Sequence, residues 1–359
     1  MKITKSPSLT RVVTLTVTLG ALTAGLMQSS VQANGRGHHE SQNSRHKFSF
    51  ALWGDMPYAK ASDEPKIPAL IEDMNSDHSL AFTVFDGDLK DGSSLCTDDQ
   101  FDDAIDRFNS LAAPTVYVPG DNEWTDCHRL NNGGYNNLER LEFMRTTMFS
   151  SPRSFGKRTM RLHHQGSPGH AYAENTRWRY GDVLFVGLNM PGSNNNKVNA
   201  FDSTDCMKKS ARTVADCEAD NVEYAARNAA NLEFVHETFA IARATGAIGV
   251  MVIAQADLSF DWPETEDFNE RTLPGYDGFD DFLDLLVDET NDFGGEVVYV
   301  HGDTHFFKID KPLIDQANLI PNFTRLQTFG SPNIHWVKVT VDPNGRNVFH
   351  FDPMIVPGN

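Results

Sequence analysis

The 359-residue sequence predicts an α/β fold built on a parallel sheet. Three observations predict it. From residue 48 onward, short apolar runs alternate with stretches of helical period. Strands separated by helices imply parallel pairing with right-handed crossovers. Four of the strand runs also stop at the dipeptide Gly-Asp, at residues 54–55, 87–88, 120–121 and 302–303. Open α/β sheets place their ligands at the C-terminal ends of strands, where these carboxylates fall. Glycine lets the backbone turn sharply there.

The elements follow in order. Residues 48–53 form a buried strand, and residues 65–77 carry Ile67, Leu70, Ile71 and Met74 at helical spacing. Residues 80–85 are the second strand. Residues 99–111 form a helix with Phe101, Ile105 and Phe108 on one face, and residues 115–118 are the third strand. A helix is expected at 137–149 and a loop rich in Ser, Gly, Arg and His at 150–169. Residues 171–176 and 183–189 read as a strand pair bent around residues 179–182; the fifth Gly-Asp opens a strand there and is left out of the site. Residues 194–217 form a polar insertion. The helix at 220–245 is the clearest, with an Asp220–Glu223 capping box, a stripe of Leu232, Val235, Phe239 and Ala242, and a stop at Gly246. A strand at 248–253, an acidic loop at 257–276, a helix at 277–291 and a strand at 297–300 come next. Short strands at 325–329, 334–341 and 347–351 end the chain, the last two joined by a turn at 342–345.

Residues 1–33 read as a signal peptide, with Lys2, Lys5 and Arg11 before an apolar stretch and Val31-Gln32-Ala33 as the cleavage site. That stretch is short and spotted with threonine for a membrane anchor. Residues 34–47 are a polar tether whose histidines are solvated, and residues 48–357 are one domain with inserted loops. The mature chain is expected to be exported, periplasmic or secreted, with no later membrane span. Losing the leader takes the net charge from −18 to −21. So acidic a protein does not neutralise a nucleic-acid backbone. A bound cation would still admit a phosphorylated small substrate.

Four cysteines lie beyond the leader. An even count in an exported chain points to two disulfides. Of three pairings the favoured one joins Cys206 to Cys217 as a local staple and Cys96 to Cys127 across the loops after the second and third Gly-Asp tips. No Cys-x-x-Cys pair is present to favour a zinc site.

Four acidic strand ends and a histidine make a hard donor set, suited to Mg²⁺, Mn²⁺ or Ca²⁺ and less so to Fe or Zn. The ordered motifs, above all Phe85-Asp86-Gly87-Asp88-Leu89-Lys90-Asp91-Gly92, resemble those of the calcineurin-like metallophosphoesterases over most of residues 48–350. The resemblance implies a sandwich of two mixed β-sheets flanked by helices. It implies one or two divalent metal ions held by Asp55, Asp88 as the bridge, Asp121, Gln255, Asp303 and His305. Asn122 and Asp88 would be the catalytic positions, and a metal-activated water would attack a phosphate mono- or diester. The chain departs from the family at Pro57, Asn122, Asp121, Gln255 and Asp303, which stand where relatives carry histidine or asparagine. Three of these keep an oxygen donor.

Other readings stay open. Asp88 would otherwise cap a turn, Asp121 would serve turn chemistry, and Gln255 would satisfy buried backbone. His301 rivals Asp303 as a ligand. Asn122 does not titrate, so the general acid is unassigned, with His128, His163, His164 and His170 candidates by residue type alone. The alternative function is a non-catalytic protein of this fold with a binding or structural role.

Overall fold

The structure is a computed structural model that describes residues 46–58, 62–198, 206–207, 210–261, 264–265 and 272–359. The leader, nearly all of the tether, and parts of the 194–217 insertion and the acidic loop lie outside the described residues.

Two mixed sheets face each other. The first takes β1 (Phe48–Trp53), β2 (Leu80–Phe85) and β3 (Thr115–Tyr117) as parallel neighbours. Helix α1 (Ile67–Ser76) makes one crossover and α2 (Asp98–Ser110) the next. Helix α3 (Asn137–Met148) follows. The second sheet begins with β4 (His163–His164), β5 (Thr176–Tyr180) and β6 (Val183–Gly187). Helix α4 (Val214–Ala244) leads into β7 (Gly249–Ile253), and α5 (Asp280–Asp292) into β8 (Glu296–His301). Then come β9 (Lys308–Asp310), a small hairpin of β10 (Ile314–Asp315) and β11 (Asn318–Leu319), and β12 (Phe323–Gln327). The chain closes with β13 (Trp336–Val341) and β14 (Phe349–Met354). The strand orders are β14-β13-β1-β2-β3 and β4-β5-β6-β7-β8-β12-β9. The expected parallel β1-β2-β3 core is present, with β13 returning antiparallel to β1.

Strand periodicity explains the layers. On β6, β7 and β8 the residues Phe185, Met251, Ile253, Val298 and Val300 join the core shared with the first sheet. Their neighbours Leu184, Val186, Val250, Val252, Val297 and Tyr299 pack on Phe234, Val235 and Phe239 of α4 and on Phe282 and Leu286 of α5. Both faces are therefore apolar, as a helix-covered parallel sheet requires. In the first sheet, Phe50 and Phe82 meet Phe185 across the sandwich, while Trp53 and Phe85 turn to Phe108 of α2. Burying each such ring contributes about 2 kcal/mol.

Shifts of a few residues at element ends aside, the expected loop at 150–169 carries the short strand β4, and two further elements differ from the expectation. Residues 171–174 are not a strand but a turn, with Tyr172 at φ +64° and its carbonyl accepting from Gly166 N–H. The strand is instead Thr176–Tyr180, so the hairpin narrows to Gly181-Asp182, with Gly181 at φ +57°. The long helix starts at Val214, where Thr213 N–H donates to Asp216 at 2.7 Å. Asp220 is no cap: it is buried and accepts from Arg212 at 2.5 Å and from Asn137 at 2.9 Å. Both favoured disulfides, Cys96–Cys127 and Cys206–Cys217, are formed. No helix among the described residues is long and apolar enough to cross a membrane.

Candidate functional site

The C-terminal ends of β1, β2, β3, β7 and β8 lie at one end of the sandwich. Cross-sheet contacts prove the convergence. Asp303 N–H donates to both oxygens of Asp55 at 3.1 Å, and Gln255 Nε2 donates to Asp88 at 3.3 Å and Asp303 at 3.1 Å. Asp55, Asp88, Asp121, Asp303, Gln255, His305 and Asn122 are thus brought together. His301 is not: its buried ring faces Gly302 O and stacks on Tyr299.

The glycines of the tips are needed for space. A Cβ on Gly302 would stand 1.8 Å from Asp55 Oδ2, and one on Gly120 would stand 2.0 Å from Asp88 Oδ1. Gly302 and Gly120 thus make room for another tip's carboxylate, while Gly54 makes room for Asp86 and Gly87 for Gln255. The backbone is also held in an unusual state, with Asp55, Asp88, Asp303 and His305 at φ between +48° and +71°. Such residues persist only where the surroundings fix them, and they concentrate at functional sites.

Asp88 is the hub. Its Oδ2 accepts from Asn122 Nδ2 at 2.6 Å and Tyr58 Oη at 3.3 Å, and its Oδ1 from Asn122 N–H at 3.2 Å. The Cys96–Cys127 bridge lies against Asn122 O, with the two sulfurs 3.5 and 3.6 Å away, and ties this loop to the one after β2.

Tyr58 was missed by the sequence reading. Its Oη lies 2.8 Å from His305 Nε2 and 3.5 Å from Asp55 Oδ1. The position next to Pro57, where a ligand was counted as lost, therefore returns an oxygen donor. The signal was the spacing of Asp55 and Tyr58, three residues apart. His305 Nδ1 faces Ser331 O at 2.8 Å, which leaves the Nε2 lone pair aimed at the cluster.

Ser193 was missed too. Its Oγ donates to Asp121 at 2.9 Å and lies 2.9 Å from Asp126. Residues 193–196 all have φ between +49° and +60°. Asparagine tolerates that region better than most residues. Each asparagine here is tied: Asn194 and Asn195 to the carbonyls of Gly275 and Gly278, Asn196 to Glu223. The run Gly192-Ser193-Asn194-Asn195-Asn196 was the available signal. A Cβ on Gly192 would meet Asp121 and Asp303 within 3 Å, so this turn wedges between two carboxylates.

Acids outnumber cations here. Asp55, Asp86, Asp88, Asp121, Glu123, Asp126 and Asp257 are buried, with Asp303 partly so. Burial first, then repulsion from Asp121, holds Asp88 and Asp303 well above the carboxylate range. Asp126 is pushed up to about 7 by burial and Asp121, against the pull of Arg129. Lys90 is buried nearby, and burial lowers its own pKa.

The donor types fit a hard divalent cation: carboxylates, a phenol and one imidazole. Among the described residues no three Asp, Glu, His or Cys side chains converge as around an ion. The amides of Asn122 and Gln255 and the phenol of Tyr58 are bonded into the carboxylates instead. His128, His163, His164 and His170 make no hydrogen bond to these carboxylates among the described residues. His128 rests on Thr125 O at 2.6 Å, and burial lowers its pKa to about 4.

A pH dependence follows. A carboxyl whose folded pKa is raised stabilises the fold while protonated, and that contribution is lost as pH climbs from about 4 to the folded value. His128 acts oppositely, but only below about 6.5. Protein stripped of divalent cations is thus expected to show a Tm that falls from about pH 6.5 to 8. A calorimetric pH series showing a flat or rising Tm over that window would rule this out.

The fold has a known counterpart. PhoD is similar over 89% of this chain and 68% of its own, at 11% identity and a TM-score of 0.52. The anchor GAP50 of the inner membrane complex of Plasmodium matches 86% of this chain and 89% of its own, at 12% identity and a TM-score of 0.42. The purple acid phosphatase PPD1 of yellow lupin (Lupinus luteus) seeds matches 87% of this chain and 52% of its own, at 12% identity and a TM-score of 0.49. At 11% identity the likeness to PhoD is one of fold alone. No protein-family model matches the chain, and no curated protein matches it.

Proposed function

We propose that the protein hydrolyses small phosphate mono- or diesters with the help of one or two divalent cations. The observation that carries this reading is the convergence of four acidic strand tips from two sheets in a buried cluster with a large excess of negative charge. The order of motifs, which resembles the calcineurin-like metallophosphoesterases, and the fold shared with PhoD agree with it.

Asp55, Tyr58, Asp88 and His305 would hold one cation, and Asp88, Asp121, Asp303 and Gln255 a second. Mg²⁺, Mn²⁺ and Ca²⁺ suit these donors better than Fe or Zn. When bound, such a cation supplies Lewis-acid activation of water and offsets charge on the phosphoryl group. The chain does the rest. Asn122 fixes the Asp88 carboxylate through two hydrogen bonds and is itself fixed by the disulfide beneath it. As an amide it donates but does not titrate, so esters with good leaving groups are the natural substrates. The disulfides favour an oxidising compartment, which supports export with cleavage after Ala33.

The test is hydrolysis of a broad phosphoester panel by chelator-stripped protein before and after adding each divalent cation. Cation-dependent turnover is expected. Absence of turnover on every ester with every cation would sink the proposal. The amide at Asn122, which cannot titrate, favours the second reading, a non-catalytic binding protein, which tight metal binding without turnover would establish.

A further inference from the structure

We infer that Arg129 binds the non-bridging oxygens of the substrate's phosphoryl group, across a notch left open by Gly92. The inference rests on the phosphoesterase reading and deepens it.

Arg129 is the cation whose placement suits this role. Its Nη1 pairs with Asp126 Oδ2 at 2.5 Å, and its Nη2 reaches Ser193 Oγ at 3.4 Å. Ser193 in turn bonds Asp121, so one hydroxyl separates the guanidinium from the carboxylate cluster. Two anchors orient the plane, yet the side chain keeps 40% of its surface exposed. Guanidinium has five N–H donors, and the remaining edge suits the oxygens of a phosphate. The other basic groups near this end are engaged elsewhere among the described residues. Lys90 is buried on Asp91 O and Asn132, and Arg227 on Glu223 and Asn195. Arg212 is held by Asp220, and Lys197 by Asp277.

Gly92 supplies the independent observation. Its φ is not in the left-handed region, so the backbone there does not demand glycine. A Cβ at this position would stand 3.0 Å from Asn122 Oδ1 and 4.0 Å from Arg129 Nη1. The missing side chain leaves a partly exposed gap between the amide that grips Asp88 and the guanidinium. The gap's floor is fixed, because Asn131 and Asn132 both bond Gly92 O. A phosphoryl group entering there meets the Arg129 cation on one side and lies beside the Asn122 amide, whose Oδ1 faces the gap while its Nδ2 holds Asp88.

The experiment compares cation-loaded wild type, Arg129→Gln, Arg129→Lys and Gly92→Val. The readouts are kcat/KM for an aryl phosphate monoester, inhibition by inorganic phosphate, metal content and Tm. Arg129→Gln is expected to lower kcat/KM by about 10²-fold and to weaken phosphate inhibition about tenfold or more, with metal content unchanged. Arg129→Lys recovers part of the phosphate affinity. Gly92→Val, which fills the notch and leaves both Arg129 and Asp126 unsubstituted, shifts both readouts the same way and decides the matter if Arg129→Gln fails to fold. Wild-type kcat/KM and phosphate inhibition in Arg129→Gln or, failing that, in Gly92→Val overturn this inference alone. Losses that track lost metal or lost Tm, and are equal in Arg129→Lys, also overturn it. A wild type that neither turns over esters nor binds phosphate overturns the underlying reading as well.

Discussion

Asp88→Asn is expected to lower cation-dependent hydrolysis by about 10³-fold or more while leaving the stripped protein no less stable than wild type. The two halves of the expectation come from one geometry. Asp88 sits between Asp55, Asp121 and Asp303 and accepts from Tyr58, Asn122 and Gln255, so both proposed cation positions share it. Removing its charge removes the shared donor. The same carboxylate is buried among like charges, which holds its pKa well up and makes it a liability to the metal-free fold. An amide of the same size relieves that repulsion. Steady-state kinetics with Tm measured in chelator would check both halves. An active Asp88→Asn protein would remove this residue from the centre of the account.

Gly120→Ala is expected to destabilise the protein by about 3 kcal/mol, at the upper end of overpacking effects, and to cut activity with it. A Cβ there would lie 2.0 Å from Asp88 Oδ1 and 2.6 Å from Asp88 N. The carboxylate could rotate away, but the backbone nitrogen could not, so the loops after β2 and β3 would have to part. Gly294→Ala is the control, since nothing lies within 4 Å of a Cβ there and its φ is ordinary. Denaturant unfolding of the two variants would separate a crowded tip from a generic loss of glycine. Wild-type stability in Gly120→Ala would refute the close approach of these two tips.

The fold was largely legible because its signals are local. Period-two apolar strands and period-3.6 helices each show in a short window, and the parallel order follows from their alternation. Where local signals competed, tertiary contacts won. Asp220 and Glu223 have the spacing of a capping box, but Asp220 is drawn inward by Arg212 and Asn137, and the helix caps seven residues earlier, at Thr213, with Asp216 closing the box. The site was legible at its Gly-Asp tips, because carboxylates at strand ends are fixed in direction by the strands. Tyr58 and Ser193 were harder to see. Each reaches the cluster from a loop whose path depends on contacts far away in sequence, His305 for Tyr58 and Asp126 for Ser193. The glycines were read as turn residues. The structure gives them a second reason: each leaves room for a side chain from another element, a carboxylate at Gly54, Gly120 and Gly302 and the Gln255 amide side chain at Gly87.

The central claim is that these converged carboxylates hold a divalent cation, and metal content tests it most directly. Wild type and Asp88→Asn would be purified in buffer containing Mn²⁺, freed of excess ion, and assayed by elemental analysis. One or two ions per wild-type chain, and fewer in Asp88→Asn, is the predicted result. A wild-type chain that retains no divalent cation, or an Asp88→Asn chain that retains as much, would contradict it.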